Sequence, residues 1–157
     1  MLERSELEIL ILETSNALDA TTPTKRAFDF HKAMFGAVAM LKSIADKYKY
    51  ADFSVFSALK IYFLHVADAE IRLWSVQNFQ KIFLVVREKK SGVPSSEDDE
   101  DTLFAYIEFF WILKNISKTL ETLEVVRKND KENKSIDTKT FRQIWTCRRL
   151  LIPRLYV

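Results

Sequence analysis

The feature of this sequence that most constrains its fold is the scarcity of turn-forming residues. The chain of 157 residues contains only 2 glycines and 3 prolines, well below their average usage of about 7% and 5%. Because glycine and proline supply the tight turns that β-rich folds need, their scarcity favours few turns and long helices. The sequence therefore predicts an all-α fold, a single-domain bundle of five or six helices over residues 1–157 with no or minimal β-structure.

Apolar residues recur at helical spacing along most of the chain, and this periodicity places the helices. We predict helices over residues 2–18, 23–49, 52–89, 103–128 and 138–152. Thr22 followed by Pro23 is typical of a helix start, and Gly36 inside that helix indicates a close crossing with another helix. The buried face of the third helix is expected to consist of Phe56, Leu59, Phe63, Val66 and Leu73.

The third predicted helix is unusually long. Its 38 residues exceed a typical helix, so we expect a break or kink near "HVADAE". The stretch "FQKIFLVV", residues 79–86, is also compatible with a buried strand because it is rich in aromatic and β-branched residues. Its place in a long helix-compatible segment, with no evident partner strand, favours a helix.

Two polar segments are predicted to connect the later helices. "KKSGVPSSEDDED" indicates an acidic loop over residues 90–101, followed by Thr102 as the expected N-cap of the next helix. Ser95 and Ser96 each lie three residues before an acid, which is typical of an acidophilic kinase site. A second connection is the polar linker over residues 127–137. The helix between these connections is expected to face the core with Leu103, Phe104, Ile107, Phe110, Trp111, Ile116 and Leu123.

The chain offers few groups for catalysis or metal binding. It has two histidines, His31 and His65, and neither a P-loop nor a nucleophile elbow. His65 and Asp68 lie at helical positions i and i+3, which predicts a partly buried histidine paired with a carboxylate. A metal needs three or four ligands, so this pair alone does not make a metal site. We therefore predict no catalytic residues, no metal site and no cofactor.

The segment "RAFDFH" places Arg26 and His31 five residues apart. This spacing resembles the R-x4-H motif of HEPN ribonucleases, an all-helical family. In that family the arginine and the histidine act on the RNA phosphodiester, usually across a dimer. The resemblance implies an alternative function for this chain, a HEPN-like ribonuclease that uses Arg26 and His31.

The predicted C-terminal helix and the residues that follow it, residues 138–157, form a basic segment. The segment carries five lysines and arginines and no acid, against five consecutive acids at residues 97–101. Arginines interleaved with aromatic residues are typical of surfaces that bind nucleic acid or an acidic partner. The candidate binding residues are Lys139, Arg142, Trp145, Arg148, Arg149 and Arg154.

The remaining features of composition favour a binding protein inside the cell. The net charge of +2 gives no overall field directed at nucleic acid. No apolar run reaches the roughly 18 residues that a membrane span needs, and the acidic N-terminus is unlike a secretory signal. We therefore expect a cytoplasmic or nuclear protein that is neither secreted nor in a membrane.

Aromatic content is a further indication of function, beside the basic segment. The 12 phenylalanines and 3 tryptophans indicate an exposed patch for self-association or for a partner helix. The sequence thus predicts a non-catalytic helical interaction protein that self-associates or binds a protein partner, with no identifiable small-molecule substrate. Nucleic-acid binding as the primary role is the other alternative.

Overall fold

The computed structural model shows a mixed α/β fold and describes residues 7–15, 22–80, 82–94 and 99–135. In this part of the chain the strands are β1 (Leu10–Thr14), β2 (Lys60–Ala67), β3 (Glu70–Phe79) and β4 (Ile82–Gly92). The helices are α1 (Pro23–Lys47), α2 (Phe53–Phe56), α3 (Glu100–Leu113) and α4 (Ser117–Ser135), with a 3₁₀ turn at Lys114–Ile116 between the last two. The strands form one sheet in the order β1-β2-β3-β4, and only the β1–β2 pair is parallel. The prediction of an all-α bundle of five or six helices is therefore wrong.

The two hairpins in this sheet explain why the scarcity of glycine was misleading. The turn between β2 and β3 consists of Asp68 and Ala69, which have φ angles of 55° and 56°. Gln80, in the turn between β3 and β4, has a φ of 48°. Tight hairpin turns need positive φ, which glycine adopts most easily but which other residues adopt at a cost. The expected break near "HVADAE" is thus a hairpin turn, and "FQKIFLVV" forms the second turn and the start of β4.

The central strands are buried on both faces of the sheet. On one face, Ile61, Phe63 and Val76 pack against the apolar side of α1 in the main core cluster. On the other face, Leu64 and Leu73 pack against Phe109 of α3. A strand covered on both sides is apolar at nearly every position, so its sequence lacks the alternation that marks a half-exposed strand. This double coverage is why residues 52–89 were compatible with a helix.

The prediction of a helix beginning at Pro23 is confirmed. α1 begins at Pro23, and the hydroxyl of Thr22 accepts a hydrogen bond from the backbone N–H of Lys25. The close contact expected at Gly36 is also present, although its partner is a strand. A Cβ atom on Gly36 would lie 2.8 Å from Cδ1 of Ile11, a residue of β1. The missing side chain therefore lets α1 lie close to β1.

Other predicted elements are corrected by the structure. The first predicted helix, residues 2–18, contains β1 instead. The expected loop over residues 90–101 is shorter, because β4 extends to Gly92 and α3 begins at Glu100. The N-cap of α3 is Asp99, whose carboxylate accepts from the backbone N–H of Thr102, rather than Thr102 itself.

The polar segment predicted as a linker over residues 127–137 is helical as far as it is described, because α4 continues to Ser135. Its polar side chains form hydrogen bonds with the backbone of the corner between α1 and α2. Asp130 accepts from the backbone N–H of Tyr50 at 2.8 Å, and Asn129 accepts from that of Asp52 at 2.7 Å. These residues are polar because they satisfy buried backbone groups, which is required wherever a corner lacks its own hydrogen bonds.

Replacing Ala69 by glycine is expected to stabilise the protein by up to about 1 kcal/mol. The substitution removes the steric cost of a Cβ at positive φ, which exceeds the entropic cost of glycine. In a continuous helix the same change would destabilise by about 1 kcal/mol, so the sign separates a hairpin from a helix. Urea unfolding checks it, with exposed Ala39 of α1 as the helical control, where Ala39→Gly should destabilise. A loss of stability in Ala69→Gly would contradict the turn.

Candidate interaction surface

A buried polar network lies where the parallel strands end, and it is the first candidate site. Ser15 follows β1, His65 lies on β2, and Asp29 lies on α1; all three are buried. Oγ of Ser15 is 3.0 Å from Nε2 of His65, and the backbone N–H of Ser15 donates to the carbonyl of Val66. The carboxylate of Asp29 also accepts from Nζ of Lys25 at 3.0 Å. Asp29 is also bonded to the hydroxyl of Ser15, so the network joins β1, β2 and α1.

The protonation states in this network follow from its contacts. A hydrogen bond from the Ser15 hydroxyl, helped by one from Lys25, lowers the pKa of Asp29. The Ser15 hydroxyl has a single proton, which lies in the hydrogen bond to Asp29. The Ser15 oxygen is therefore the acceptor in the bond with His65, and the Nε2–H of His65 is the donor. Burial lowers the pKa of His65, and the positive charge of Arg72 acts in the same direction. His65 is therefore held neutral, as a hydrogen-bond donor.

The order of these groups is not that of a hydrolytic triad. In a triad the histidine lies between the acid and the hydroxyl, accepts the hydroxyl proton and so activates the nucleophile. Here the hydroxyl of Ser15 lies between Asp29 and His65, and His65 donates to it. The hydroxyl of Ser15 donates to the carboxylate of Asp29 and not to His65, and all three residues are buried. We conclude that the network anchors the ends of the strands to α1.

Stability should fall as the pH drops below neutrality because of His65. Its pKa in the folded protein is below the ordinary 6.5, so the unfolded chain takes up a proton first. This contribution is complete above about pH 6.5 and is lost as the pH falls toward the folded pKa. Urea unfolding at pH 7.5 and 5.5 should show a drop that shrinks in His65→Gln and persists in His31→Gln. An equal drop in all three proteins would contradict this role.

Arg26 and His31 are not brought together. The guanidinium of Arg26 pairs with the carboxylate of Asp68 in the β2–β3 turn, whereas Nδ1 of His31 bonds the carbonyl of Ala27 at 2.6 Å. Five residues on a helix correspond to about 140° around its axis, so the two side chains leave α1 in different directions. The mixed sheet is also not the all-helical fold that the HEPN resemblance implies.

The predicted pair of His65 and Asp68 is wrong as well. Both residues lie on β2 and its turn rather than on a helix, and each has another partner: Ser15 for His65 and Arg26 for Asp68. The candidate residues Lys139, Arg142, Trp145, Arg148, Arg149 and Arg154 lie outside the described residues, as do Ser95 and Ser96. Nucleic-acid or acidic-partner binding by that basic segment stays a prediction.

The second candidate site is the outer side of α3. Phe109 faces the sheet and is 0% exposed, with Tyr106 and Ile112 beside it. On the opposite side, Phe104 is 68%, Ile107 56% and Trp111 70% exposed. α3 is thus apolar around most of its circumference, although only one side is covered by the described part of the chain. The prediction that these residues face the core is wrong for Leu103, Phe104, Ile107, Phe110 and Trp111, all of which are exposed.

Four exposed residues of α3 and the first residue of the following 3₁₀ turn form an ordered line, which we call the α3 stripe: Glu100, Phe104, Ile107, Trp111 and Lys114. Their spacing of four, three, four and three residues keeps them on one side of a helix. The stripe has an acid at its first position, three large apolar side chains in its middle and a lysine at its last position. Nζ of Lys114 lies 4.9 Å from the centre of the Trp111 ring, so the lysine also covers part of that ring.

The apolar surface continues on one flank of the stripe. On the other flank, Glu108 pairs with Lys89 of β4 at 2.9 Å, so that flank faces β4. Leu103 and Phe110 lie about 140° and 160° from Glu108 around the helix axis, on the opposite flank. Leu10 and Leu12 of β1 are exposed and lie in register with Tyr62 and Leu64, which contact α3. Both elements therefore carry exposed large apolar side chains.

Comparison with known proteins adds no assignment. No protein family, no curated protein and no solved structure matches this chain. Among the described residues, no group of three or more histidine, cysteine, aspartate or glutamate side chains could hold a metal ion. The helices in the same part of the chain include none with the length and apolar character to cross a membrane. Sequence reasoning anticipated an exposed aromatic patch but did not locate it, because the apolar residues of α3 are distributed around the whole helix.

Proposed function

We propose that this protein is a non-catalytic interaction module and that the α3 stripe is its binding surface. The observation that carries this proposal is the exposure of Phe104, Ile107 and Trp111 in one line on one helix. Single exposed apolar residues are common, but a contiguous patch with aromatic side chains is typical of sites where proteins associate. An apolar helix face is also a recurring recognition element, read through residues at spacings of three and four.

The composition of the stripe supports binding rather than accidental exposure. Tryptophan is among the residues that contribute most to association, because it buries a large rigid surface at small entropic cost. Phe104 and Trp111 lie seven residues apart, two helical turns, with Ile107 between them. The polar residues Glu100 and Lys114 border this apolar centre, which resembles the apolar core and polar rim of a protein interface.

The buried polar network does not offer a competing catalytic role. Ser15, Asp29 and His65 are all buried, Ser15 is bonded to both of the others, and Asp29 is also bonded to Lys25. A general base has to reach a substrate proton, which a neutral donor such as His65 does not do in this arrangement. The α3 stripe is therefore the better supported site.

The proposal predicts that the stripe is accessible in the monomer, which is studied at a concentration low enough for light scattering to give the monomer mass. The fluorescent dye ANS binds exposed apolar surface, so the variant Phe104→Gln/Trp111→Gln should bind the dye less than the natural protein does. Glutamine is a good helix former, so α3 should be retained. The free energy of unfolding should change by less than about 1 kcal/mol, because surface substitutions rarely exceed that.

The matched control is Leu120→Gln/Val125→Gln, which removes two exposed apolar side chains of α4. This control should reduce dye binding less, because these residues do not belong to the stripe. Dye binding that stays the same in Phe104→Gln/Trp111→Gln, together with a loss of more than about 2 kcal/mol in unfolding free energy, would overturn the proposal. That result would mean that another part of the same chain covers the stripe.

A further inference from the structure

We infer that the partner of the α3 stripe is the same stripe of a second copy, with the two α3 helices antiparallel. The inference rests on the proposed function and adds to it the identity of the partner and the orientation of the contact. It is carried by the distribution of charge along the stripe: Glu100 at the beginning, Lys114 at the end, and apolar side chains between them. A surface with this pattern is complementary to itself under a twofold rotation.

The spacing of the stripe suits helix-to-helix packing. Positions that alternate between three and four residues average 3.5, the repeat that keeps one seam of a helix against another helix. α3 has 14 residues, so the seam is about 21 Å long. In a contact of this kind, each large side chain inserts between residues of the facing helix. Phe104, Ile107 and Trp111 are the side chains available to do so.

The antiparallel orientation pairs every position of the stripe with a complementary one. With Ile107 near the twofold axis, Phe104 faces the partner's Trp111, and Glu100 faces the partner's Lys114. The same two contacts are repeated on the other side of the axis, as a twofold interface requires. Both ends are then closed by opposite charges, and the apolar centres cover each other.

A parallel orientation is disfavoured by the same residues. It would place Glu100 beside the partner's Glu100, and Lys114 beside the partner's Lys114, and like charges in contact repel. Glu100 and Lys114 are both exposed, and neither forms an ion pair with a residue that the structure describes. The described part of the chain therefore leaves both charges without an opposite charge in contact. The exposed Leu103 and Phe110 lie on the flank of the stripe and widen the apolar contact.

Charge reversal at the two ends of the stripe tests the inference. Sedimentation and light scattering over a concentration series should show that the natural protein dimerises. At low salt, Glu100→Lys and Lys114→Glu should each weaken dimerisation roughly tenfold, because each change turns two attractive contacts into repulsive ones. The double variant Glu100→Lys/Lys114→Glu should return to within about threefold of the natural protein, since both contacts are restored.

Two controls separate this effect from changes in folding. Lys118→Glu alters the net charge equally but lies outside the stripe, so it should leave dimerisation unchanged. Glu100→Lys also places a positive charge at the start of α3, where it disfavours the helix. A mixture of the two single variants controls for this effect on the helix. Both ends of the mixed dimer again pair a lysine with a glutamate, so the mixture should dimerise more tightly than either variant alone. At about 1 M salt the differences should vanish, since charges are screened beyond roughly 3 Å.

The outcomes distinguish this inference from the proposed function. Single reversals that leave dimerisation unchanged would indicate a parallel or unrelated contact and would overturn the antiparallel pairing. A double variant as weak as the weaker single variant would do the same. A natural protein that stays monomeric while Phe104→Gln/Trp111→Gln still lowers dye binding would refute the second copy as the partner. The stripe would then remain a surface for a different protein.

Discussion

Phe109→Ala is expected to lower the free energy of unfolding by about 3 to 5 kcal/mol, whereas Phe104→Ala should leave it within about 0.5 kcal/mol. The two residues are of the same type and lie on the same helix, but Phe109 is 0% exposed and Phe104 is 68% exposed. Removing Phe109 opens a cavity between α3 and the sheet, where Leu64 and Leu73 pack against its ring. Removing Phe104 loses little buried surface, because most of its side chain is already in solvent, and alanine is the better helix former.

This comparison tests both the placement of α3 and the accessibility of its outer side. A loss of 3 to 5 kcal/mol is a large fraction of the roughly 5 to 15 kcal/mol that stabilises a typical domain. Urea unfolding followed by circular dichroism measures it. The protein concentration should be low enough for light scattering to give the monomer mass, because association stabilises the folded state. Equal losses for the two variants would mean that both sides of α3 are covered.

The parts of the fold that were predictable are those whose signals are local. The start of α1 depends on Thr22 and Pro23, a cap and a first-turn proline whose effects act within one helical turn. Gly36 also indicated a close approach, because a glycine inside a helix is favourable only where another element packs too near for a side chain. The sequence did not reveal that the neighbour was Ile11, since that contact depends on the fold of the whole chain.

The strands were missed because two separate inferences failed together. Scarce glycine was taken to exclude hairpins, but Asp68, Ala69 and Gln80 adopt positive φ without being glycine. The strands β2 and β3 also lack alternation because both faces of the sheet are covered. Tertiary packing on both faces of the sheet therefore stabilises these strands, although the local sequence pattern does not indicate them, as is common for strands.

The exposed aromatic surface that we propose as the interaction site was only partly predictable. Its existence was indicated by the number of aromatic residues, which exceeded what a small core requires. Its location was not indicated, because α3 is apolar on both its inner and its outer side, and periodicity cannot separate them. The charges of Glu100 and Lys114 indicate the ends of one exposed surface only once both residues are known to lie on the outer side. The sequence had assigned Glu100 to the predicted acidic loop over residues 90–101 and Lys114 to the predicted helix over residues 103–128.

Truncation within β2 distinguishes a strand from the helix that the sequence favoured. Ile61→Ala should cost about 2 to 5 kcal/mol, because Ile61 is 0% exposed and lies beside Val76 in the core under α1. Val66→Ala should cost roughly 1 kcal/mol, because Val66 is only partly buried and loses less apolar surface. The predicted helix requires the opposite order, since it placed Val66 on its buried face and omitted Ile61.

Residues that both interpretations bury do not discriminate between them. Phe63 and Leu59 are buried in the structure and were also on the buried face of the predicted helix. Ile61 and Val66 differ because a strand returns to the same face every second residue, whereas a helix returns to it after three or four. Chemical unfolding of the two variants at neutral pH measures both costs. A greater loss for Val66→Ala than for Ile61→Ala would refute the strand assignment, because no register of β2 against β3 that buries Phe63 leaves Ile61 on the opposite face.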